Sequence, residues 1–281
     1  MFYLLNILLQ MKVLLNNQTL NKELRHFNDI GFVPTMGGIH KGHISLIKKS
    51  KKLCKKTIVS IFINPKQFNN KKDFKTYPRN IKKDLLIIKK IKGVDFVYIP
   101  KFKDIYNYKR KSKIKLHKKD KILCAKFRKG HFEGVLDVMD RLTNLIKPNK
   151  IFMGNKDFQQ LFLVKNFIEK KYKTKIISCK TIRDKDKLAL SSRNNLFNKN
   201  ELDIARKLSK KLFFLKKSIK NQKNIKKFLT KEKIKLQKNF KVNIEYLENR
   251  YEKSLLISNK SIKSKIFISY YLNDVSLIDN F

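Results

Sequence analysis

The sequence predicts an α/β fold, in which a parallel sheet flanked by helices is followed by a smaller α+β domain. Over the first two-thirds of the chain, short apolar or β-branched runs alternate with amphipathic helical segments. Several of these runs end at Gly, Asn or Pro, which is typical of strand ends. Beyond about residue 193, Lys-rich amphipathic helices and short strands replace this alternation. We therefore predict a first domain of residues 1–182 and a second domain of residues 183–281.

The first domain is predicted to consist of parallel βαβ units. Its predicted strands cover residues 31–36, 57–64, 94–100, 151–154 and 175–179. Its predicted helices start near residue 42 and cover residues 81–91, 132–146 and 158–171. Residues 57–64 illustrate the reasoning, because a continuous β-branched run that stops at Pro65 suits a strand buried on both faces. Parallel units of this kind bind ligands at the carboxyl ends of their strands.

Three further predictions complete the two domains. The helix that starts near residue 42 should turn one apolar side to the sheet, formed by Leu46, Ile47, Ser50, Leu53 and Cys54. In the second domain, the predicted helices cover residues 201–215 and 225–236, and the predicted strands cover residues 242–246 and 265–271. A basic segment at residues 104–120 lacks apolar periodicity, so we predict a loop or an edge structure there.

The charge of the chain raises the question of a nucleic-acid partner. The chain has 68 Lys and Arg against 22 Asp and Glu, a formal net charge of +46. Clustered basic residues would indicate nucleic-acid binding, because they release counterions from a phosphate backbone. Here only nine of the 68 are Arg, and the excess is spread from Lys12 to Lys265. This favours a chain-wide compositional bias, so we expect no specific nucleic-acid partner, although the field attracts anionic substrates.

The cysteines and the N-terminus indicate the compartment. Cys54, Cys124 and Cys179 lie far apart and form no CxxC pair, which argues against disulfides or a zinc site and fits a reducing cytosol. The apolar residues 1–15 lack a basic start and a small-residue cleavage site, and they are too short to cross a bilayer. We expect a cytoplasmic protein without a membrane partner. Met11 is an alternative start that would make the first ten residues an extension.

The first candidate site is PTMGGIHKGH at residues 34–43, between a predicted strand and a predicted helix. Gly37 and Gly38 let the backbone approach a ligand closely, and the start of the helix attracts anions. His40 and His43 lie at this positive end, where they can donate to a phosphate as its charge grows. A surface turn with two chance histidines and a metal-binding pair are the alternatives. The strand–turn–helix context favours nucleotide binding.

Two further segments contain groups suited to a small acid. SIFINPKQF at residues 60–68 delivers Asn64 and Gln67 to the end of a strand, where their amides can bind hydroxyl and carboxylate oxygens. RKGHFEGV at residues 128–135 opens the helix that contains two apolar residues, Val138 and Met139. Taken alone, the first segment suits a simple strand stop and the second suits helix-core packing.

The last two segments are suited to phosphates. GNKDFQQ at residues 154–160 again joins a strand to a helix, and its Lys156 can neutralise phosphate charge. LALSSRN at residues 188–194 places two hydroxyls beside an Arg, a combination that binds phosphate oxygens well. The alternatives are a solvated Lys–Asp turn for the first and a helix cap for the second.

The five segments, in this order, resemble the pantothenate synthetase family within the HxGH nucleotidyltransferase superfamily. That family combines PTMG-xx-HxGH with VSIFVNPxQF, a loop ending in YPR, RPGHFxGV, GEKDxQQ and GLALSSRN. The YPR loop corresponds to residues 77–79, and the resemblance covers residues 11–281. The chain departs from these patterns at four positions. Lys129 stands where Pro is usual, Glu133 where a non-acidic residue is usual, Asn155 where Glu is usual and Lys187 where Gly is usual.

The resemblance implies an ATP-dependent ligase that joins pantoate to β-alanine through pantoyl adenylate and releases AMP and pyrophosphate. It also implies a Rossmann-like first domain, a C-terminal lid and a homodimer. The implied catalytic residues are His43, His40, Lys156 and Arg193. The implied ATP-binding residues are Met36, Gly37, Gly38, Ile39, His40, Lys41, Gly42, His43, Gly154, Asn155, Lys156, Asp157, Ile182, Leu190, Ser191, Ser192 and Arg193. The implied pantoate-binding residues are Gln67, Gln160, Asn64, Met36, Arg128, His131, Val138 and Met139.

The resemblance further implies a Mg²⁺ ion that bridges phosphate oxygens and has few protein ligands. We therefore assign no residue to a metal site. Asp84 lies near the acidic position that follows YPR in the family, but Lys82 and Lys83 precede it, which argues against direct metal contact.

Two other functions fit part of the pattern. A nicotinamide-mononucleotide adenylyltransferase shares HxGH, but it would have an ISSTxxR-like motif near its end and would lack NPxQF. An RNA-binding or aminoacylation-related protein would account for the charge of +46. It would need a clustered basic face or an anticodon domain, and the sequence indicates neither.

Overall fold

The computed structural model describes residues 11–69, 71–106 and 114–281, without the side chains of residues 71 and 72. The described chain divides into two compact units. Unit 1 comprises residues 11–154 and Gln160–Lys180, and unit 2 comprises Asn155–Gln159 and Thr181–Phe281. The structure therefore divides the chain at 180/181 where we predicted 182/183, and it assigns Asn155–Gln159 to unit 2. The proposed extension before Met11 and part of the basic segment 104–120 lie outside the described residues.

Unit 1 is built on a six-stranded sheet whose strand order is β1-β4-β3-β2-β5-β6. Its strands are β1 (Lys12–Leu14), β2 (Ile30–Thr35), β3 (Lys56–Ile61), β4 (Phe96–Tyr98), β5 (Lys150–Gly154) and β6 (Lys175–Cys179). Every pairing in this sheet is parallel, which confirms the predicted fold class. Because β2 and β3 are adjacent and parallel, the segments that follow these two strands leave the same end of the sheet.

Helices follow most of these strands. They are α1 (Asn17–Leu24), α2 (Lys41–Leu53), α3 (Lys71–Thr76), α4 (Ile81–Lys89), α5 (Phe102–Ile105), α6 (Cys124–Phe127), α7 (His131–Ile146) and α8 (Phe158–Lys171), of which α8 has its first two residues in unit 2. Short 3₁₀ turns occur at Pro65–Gln67, Lys118–Asp120 and Asn155–Asp157. In the part of the chain that the structure describes, no helix is both long and apolar enough to cross a membrane.

The core of unit 1 takes one apolar residue from each central strand. Val33, Val59, Val97 and Phe152, from β2, β3, β4 and β5, are fully buried and belong to one cluster. Burial of such a side chain contributes about 1.5–3 kcal/mol relative to exposure. These contacts fix the relative positions of the strand ends from which the candidate site residues emerge.

Three details of the prediction are wrong. Leu53 was expected on the buried side of α2, but it is 45% exposed at the last position of the helix, whereas Cys54, just after the helix, is buried as predicted. The predicted strand 57–64 ends at Ile61, where the chain leaves the ladder for a turn capped by Asn64. The predicted strand 94–100 is limited to Phe96–Tyr98.

Unit 2 has the predicted α+β architecture. Its helices are α9 (Lys199–Ser218) and α10 (Ile225–Phe240), and its antiparallel strands, in the order β7-β8-β9, are β7 (Asn243–Tyr251), β8 (Ser264–Leu272) and β9 (Val275–Asn280). In α9 the buried residues Ala205, Leu208, Leu212 and Leu215 share one side, which explains how so Lys-rich a segment forms a stable helix. They pack with buried residues of the sheet in a single cluster.

Candidate active site

The segment 36–40, which we call the glycine turn, connects β2 to α2 at the carboxyl end of the sheet. Gly37 and Gly38 have φ values of 81° and 61°, in the left-handed region that glycine adopts without strain. Thr35 ties the start of the turn to the next strand. Its Oγ1 accepts the N–H of Gly37 at 3.2 Å and donates to the carbonyl of Ser60 at 2.7 Å.

The second half of the glycine turn is held by the carboxylate of Asp84, in the first turn of α4. Asp84 is 3% exposed. Its Oδ2 accepts the N–H of Gly38 at 2.9 Å, and its Oδ1 accepts the N–H of Ile39 at 2.8 Å. These two amides therefore donate to the protein itself. The predicted contribution of Gly38 and Ile39 to ATP binding stays a prediction, and it would depend on other atoms of the turn.

The two histidines of the predicted nucleotide site interact with each other at the start of α2. His40 caps the helix, and its Nδ1 accepts the N–H of Gly42 at 3.0 Å. The backbone N–H of His40 points to Nδ1 of His43 at 3.4 Å. The ring centroids are 4.1 Å apart. A neutral imidazole whose Nδ1 accepts a hydrogen bond has its proton on Nε2, so each ring is arranged as an Nε2–H donor.

Gly42 has a steric reason to be glycine. A Cβ at this position would lie 2.6 Å from Cε1 and 2.8 Å from Nδ1 of His40. The His40 ring therefore occupies the space that a side chain would fill. This contact explains why the two histidines are separated by a residue pair that ends in glycine.

The segment after β3, which we call the amide turn, comprises Asn64 and the 3₁₀ turn Pro65–Gln67. Asn64 is 1% exposed, and its Oδ1 accepts the Tyr106 hydroxyl at 3.0 Å and the N–H of Lys66 at 3.2 Å. Its Nδ2 donates to the carbonyl of Gly134 in α7 at 3.2 Å. These contacts give Asn64 a structural role in the turn, and its direct contact with pantoate stays a prediction.

The structure brings Gln67 together with Arg128 and His131. The carbonyl of Gln67 accepts from His131 Nδ1 at 2.6 Å and from Arg128 Nη2 at 3.4 Å. Since a carbonyl only accepts, the proton of this hydrogen bond lies on Nδ1 of His131. At Gly134 an added Cβ would lie 2.2 Å from the carbonyl oxygen of Lys66, so α7 directly contacts the amide turn.

The side chains predicted to hold pantoate differ in exposure. Gln67 and Gln160 are half-buried, and within the described part of the chain neither side-chain amide has a hydrogen-bond partner. Val138 and Met139 in α7 are each 4% exposed, so helix-core packing describes their present contacts. The two glutamine amides are therefore available to a ligand.

The GNKD segment, residues 154–157, forms a 3₁₀ turn at Asn155–Asp157, which lies in unit 2 and is held by the last strand. Asn280 Nδ2 donates to the carbonyls of Asn155 and Lys156, at 2.7 and 3.0 Å. The Lys156 ammonium lies 3.5 Å from Asp157 Oδ1 and is 18% exposed. Asn280 thus fixes the backbone from which Lys156 extends.

The segment Leu190–Arg193, which we call the LSSR segment, is also attached to β9. Leu190 donates its N–H to the carbonyl of Ile182 at 2.9 Å. Ser191 caps the following 3₁₀ turn, because its Oγ accepts the N–H of Arg193 at 3.2 Å. Arg193 Nη1 in turn donates to the carbonyl of Ser276 in β9 at 3.1 Å. Ser192 is 8% exposed. The capping role considered as an alternative for this segment is therefore present at Ser191.

A buried ion pair supports the loop that precedes LSSR. Arg183 donates to both oxygens of Asp279, Nη1 to Oδ2 at 2.6 Å and Nη2 to Oδ1 at 2.8 Å. Burial raises the pKa of the Asp279 carboxyl, and the Arg183 guanidinium opposes this shift. Arg183 Nη1 also donates to the carbonyl of Lys187, whose φ is 72°. Lys187 therefore occupies a left-handed position at which the related family pattern has Gly.

Several supporting residues were not predicted from the sequence. Thr35, Tyr106 and Asn280 make the contacts described above, but nothing in their local sequence indicates a partner. Gly134 did carry a signal, because glycine inside a helix disfavours the helix unless a close backbone contact requires it. Asp84 was considered only as a possible metal ligand.

Comparison with known proteins identifies the family. The family model for pantoate-beta-alanine ligase matches residues 10–281. A pantothenate synthetase of Flavobacterium psychrophilum is 38% identical over 89% of this chain and 90% of that protein. One of Clostridium botulinum is 40% identical, with 90% of each chain covered.

Solved structures agree. Pantothenate synthetase from Thermus thermophilus superimposes with a TM-score of 0.90 at 26% identity, covering 96% of this chain and 99% of that one. Pantoate-beta-alanine ligase from Francisella tularensis, complexed with beta-gamma ATP and beta-alanine, gives 0.82 at 35% identity, with 97% of each chain covered. The chain belongs to the pantoate-beta-alanine ligase family.

Proposed function

We propose that this chain joins pantoate to β-alanine with ATP, through a pantoyl-adenylate intermediate. The observation that carries the proposal is the imidazole pair at the start of α2, with Nδ1 of each ring facing a backbone amide. The Francisella tularensis relative, complexed with beta-gamma ATP and beta-alanine, supports two of the three substrates.

In the first half-reaction, a pantoate carboxylate oxygen attacks the α-phosphorus of ATP. A P–O bond forms, the bond to the β-phosphate oxygen breaks, and pyrophosphate leaves. His40 and His43 would donate their Nε2 protons as hydrogen bonds to the α-phosphate, at the positive end of α2. Lys156 and Arg193 would compensate the charge of the leaving pyrophosphate, and the hydroxyls of the LSSR segment would bind the same oxygens.

In the second half-reaction, the amine of β-alanine attacks the carbonyl carbon of the adenylate. The C–N bond forms, the C–O bond to AMP breaks, and the amine loses a proton. No side chain needs to form a covalent bond with substrate, so the contribution of the protein is positioning and stabilisation of charge.

Pantoate would bind beside the amide turn. The side-chain amides of Gln67 and Gln160 can donate to its carboxylate and hydroxyl oxygens and accept from its hydroxyls. Arg128 and His131 would act through the backbone of Gln67, whose carbonyl they hold. The apolar Val138 and Met139 are proposed to contact the gem-dimethyl group, which requires the surface of α7 to adjust when pantoate binds.

We propose that Mg²⁺ arrives with ATP, as part of the substrate, and is bound mainly by phosphate oxygens. Within residues 11–69, 71–106 and 114–281, no group of three or more His, Cys, Asp or Glu side chains could hold a metal ion. Asp84 points both its oxygens at backbone amides. The homodimer implied by the family resemblance and the cytoplasmic location expected from the cysteines and the N-terminus are also proposals.

The test measures AMP, pyrophosphate and pantothenate in mixtures from which one substrate is omitted. With ATP and pantoate alone, pantoate-dependent exchange of labelled pyrophosphate into ATP is expected, because only the adenylation step can reverse. Addition of β-alanine should then yield pantothenate and AMP in equal amounts. If the full mixture produced neither product, the proposed function would be wrong. Nicotinamide mononucleotide and RNA serve as alternative ligands for the competing functions.

A further inference from the structure

We propose that Asp84 is a positioning residue for the adenylation step, which favours the Nε2–H form of His43 by holding the glycine turn. The inference rests on the proposed function for its consequence in catalysis. Its geometric part stands separately, because the protonation of the His43 ring can be measured without substrate.

The first step is the density of contacts at one carboxylate. Asp84 accepts the consecutive N–H groups of Gly38 and Ile39, at 2.9 and 2.8 Å. A Cβ at Gly37 would lie 2.9 Å from Asp84 Oδ2, so the carboxylate also packs directly on the preceding residue of the turn. Three successive residues of the glycine turn are therefore placed by one side chain from another helix.

The second step is that only a carboxylate can make these contacts. Each of its two oxygens faces an N–H donor, and Asp84 is 3% exposed, so water cannot replace a lost partner easily. A primary amide of the same shape has one acceptor oxygen, and its NH₂ group would face an N–H donor. The site therefore distinguishes Asp from Asn by hydrogen-bond polarity rather than by size.

The third step connects the turn to the rings. Ile39, held by Asp84, immediately precedes His40, whose N–H points to Nδ1 of His43 at 3.4 Å. That contact is near the upper limit for a hydrogen bond, so a small shift of the His40 backbone would break it. Loss of this contact removes one interaction that favours the Nε2–H form of His43. The share of His43 rings that present a donor to the α-phosphate should then fall.

The fourth step concerns the anchoring of Asp84 itself. Its backbone N–H donates to the carbonyl of Asn80 at 2.9 Å, and the Asn80 side chain caps α4 by accepting the N–H of Lys83 at 2.9 Å. The carboxylate thus extends from a capped first turn of a helix. The position of the glycine turn depends on α4 as well as on β2.

The test compares Asp84→Asn with a matched control, Asp95→Asn. Asp95 also accepts a backbone N–H, that of Thr57 at 2.8 Å, and it pairs with Lys56 Nζ at 2.8 Å. These residues lie at the amino ends of β3 and β4, the opposite end of the sheet from the glycine turn. Both variants lose carboxylate contacts within unit 1, but only the first alters the turn.

The readouts are pantoate-dependent ATP–pyrophosphate exchange, thermal unfolding, and the imidazole ¹⁵N shifts of His43. For Asp84→Asn we expect kcat of exchange to fall by at least about tenfold, as for a misplaced donor. The KM for β-alanine in the full reaction should stay within about twofold. The His43 shifts should move from those of an Nε2–H ring toward a mixture of both forms. Asp95→Asn should leave exchange and shifts unchanged.

A second variant, which keeps the negative charge, provides the test if Asp84→Asn does not fold. Asp84→Glu retains both oxygens but moves them by one methylene, so it should fold, mix the His43 forms and reduce exchange. Unchanged ring shifts in a folded Asp84→Asn or Asp84→Glu protein would overturn the proposal, as would equal loss of exchange in Asp95→Asn. Failure of the wild-type chain to exchange would instead refute the ligase function and leave the ring measurement valid.

Discussion

The candidate phosphate-binding groups of the two units are supported in different ways. In unit 1 the glycine turn is held by Thr35, at the end of the preceding strand β2, and by Asp84, in helix α4 of the same unit. In unit 2 the GNKD and LSSR segments are both attached to β9, through Asn280 and the carbonyl of Ser276. The first arrangement is built into the fold around a central strand, whereas the second depends on the last strand of a small sheet.

This difference has a consequence for function. The imidazole pair is oriented by hydrogen bonds within one short segment, and that segment is held in turn by Asp84 from α4, also in unit 1. Lys156 and Arg193 rely on partners more than eighty positions later in the chain. We therefore expect substitutions at the first group to act on the chemical step, and substitutions at β9 to act on the binding of ATP.

The largest expected effect is that of His43→Ala. Loss of one preorganised donor to a developing oxyanion should lower kcat by about 100-fold to 1,000-fold. Steady-state kinetics of pantothenate formation measures the effect, with circular dichroism as the check of folding. The exposed His117→Ala is the matched control and should retain full activity. Near-wild-type turnover of His43→Ala would contradict the role of the imidazole pair.

A smaller effect is expected for Gly42→Ala, which removes no donor. The added methyl group would lie 2.6 Å from Cε1 of His40 and must displace the ring. A displacement of about 1 Å should reduce kcat by about 10- to 100-fold. Single-turnover adenylate formation followed by rapid quench measures it. Lys48→Ala, on the exposed side of the same helix, should have no effect. A fully active Gly42→Ala protein would show that the His40 ring position is unimportant.

The supports of the two regions also differ in how far the sequence predicts them. The strands β2 and β3 follow from short apolar runs that suit burial on both faces, and the helices α2, α7 and α8 follow from apolar residues at helical spacing. The candidate site segments follow from their residue types and order. The strand β9 was not predicted, because its alternation is weak and its pairing with β8 decides its structure.

The contacts that orient the site could not be predicted at all. Asp84 reaches Gly38 across 46 positions, Tyr106 reaches Asn64 across 42, and Asn280 reaches Asn155 across 125. A hydrogen bond between such distant residues leaves no periodic pattern in either segment. For the same reason β1, three residues that pair with β4, was missed at the edge of the sheet.

Asn280→Ala tests the dependence of unit 2 on its last strand. The variant removes the Nδ2 donor that holds the carbonyls of Asn155 and Lys156. Loss of this support should raise KM for ATP and lower kcat/KM roughly tenfold, equivalent to one or two hydrogen bonds. Initial rates at varied ATP measure it, and Asn243→Ala, exposed in β7 of the same sheet, is the control. An effect confined to kcat, with KM unchanged, would remove the proposed distinction between the two regions.

The smallest expected effect concerns stability, at the position where this chain departs from the glycine of the family pattern. Lys187 has φ of 72°, which disfavours a residue with a Cβ, so Lys187→Gly should stabilise unit 2 by up to about 1 kcal/mol. Loss of the contact between its ammonium and the Phe213 ring, 5.2 Å away, offsets part of this gain. Chemical denaturation measures the change in the free energy of unfolding.

The matched control for Lys187→Gly is Lys185→Gly, two residues earlier and also exposed, where φ lies outside the left-handed region. At Lys185, the added conformational freedom of glycine in the unfolded chain should lower the stability of unit 2 by about 0.5–1 kcal/mol. Opposite signs for the two variants would locate the strain at Lys187 itself. Because the Arg183 contact to residue 187 uses a backbone carbonyl, glycine preserves it, and activity should stay at the wild-type level. If both variants lowered the free energy of unfolding, the contacts of the Lys187 side chain would contribute more to stability than its left-handed backbone costs.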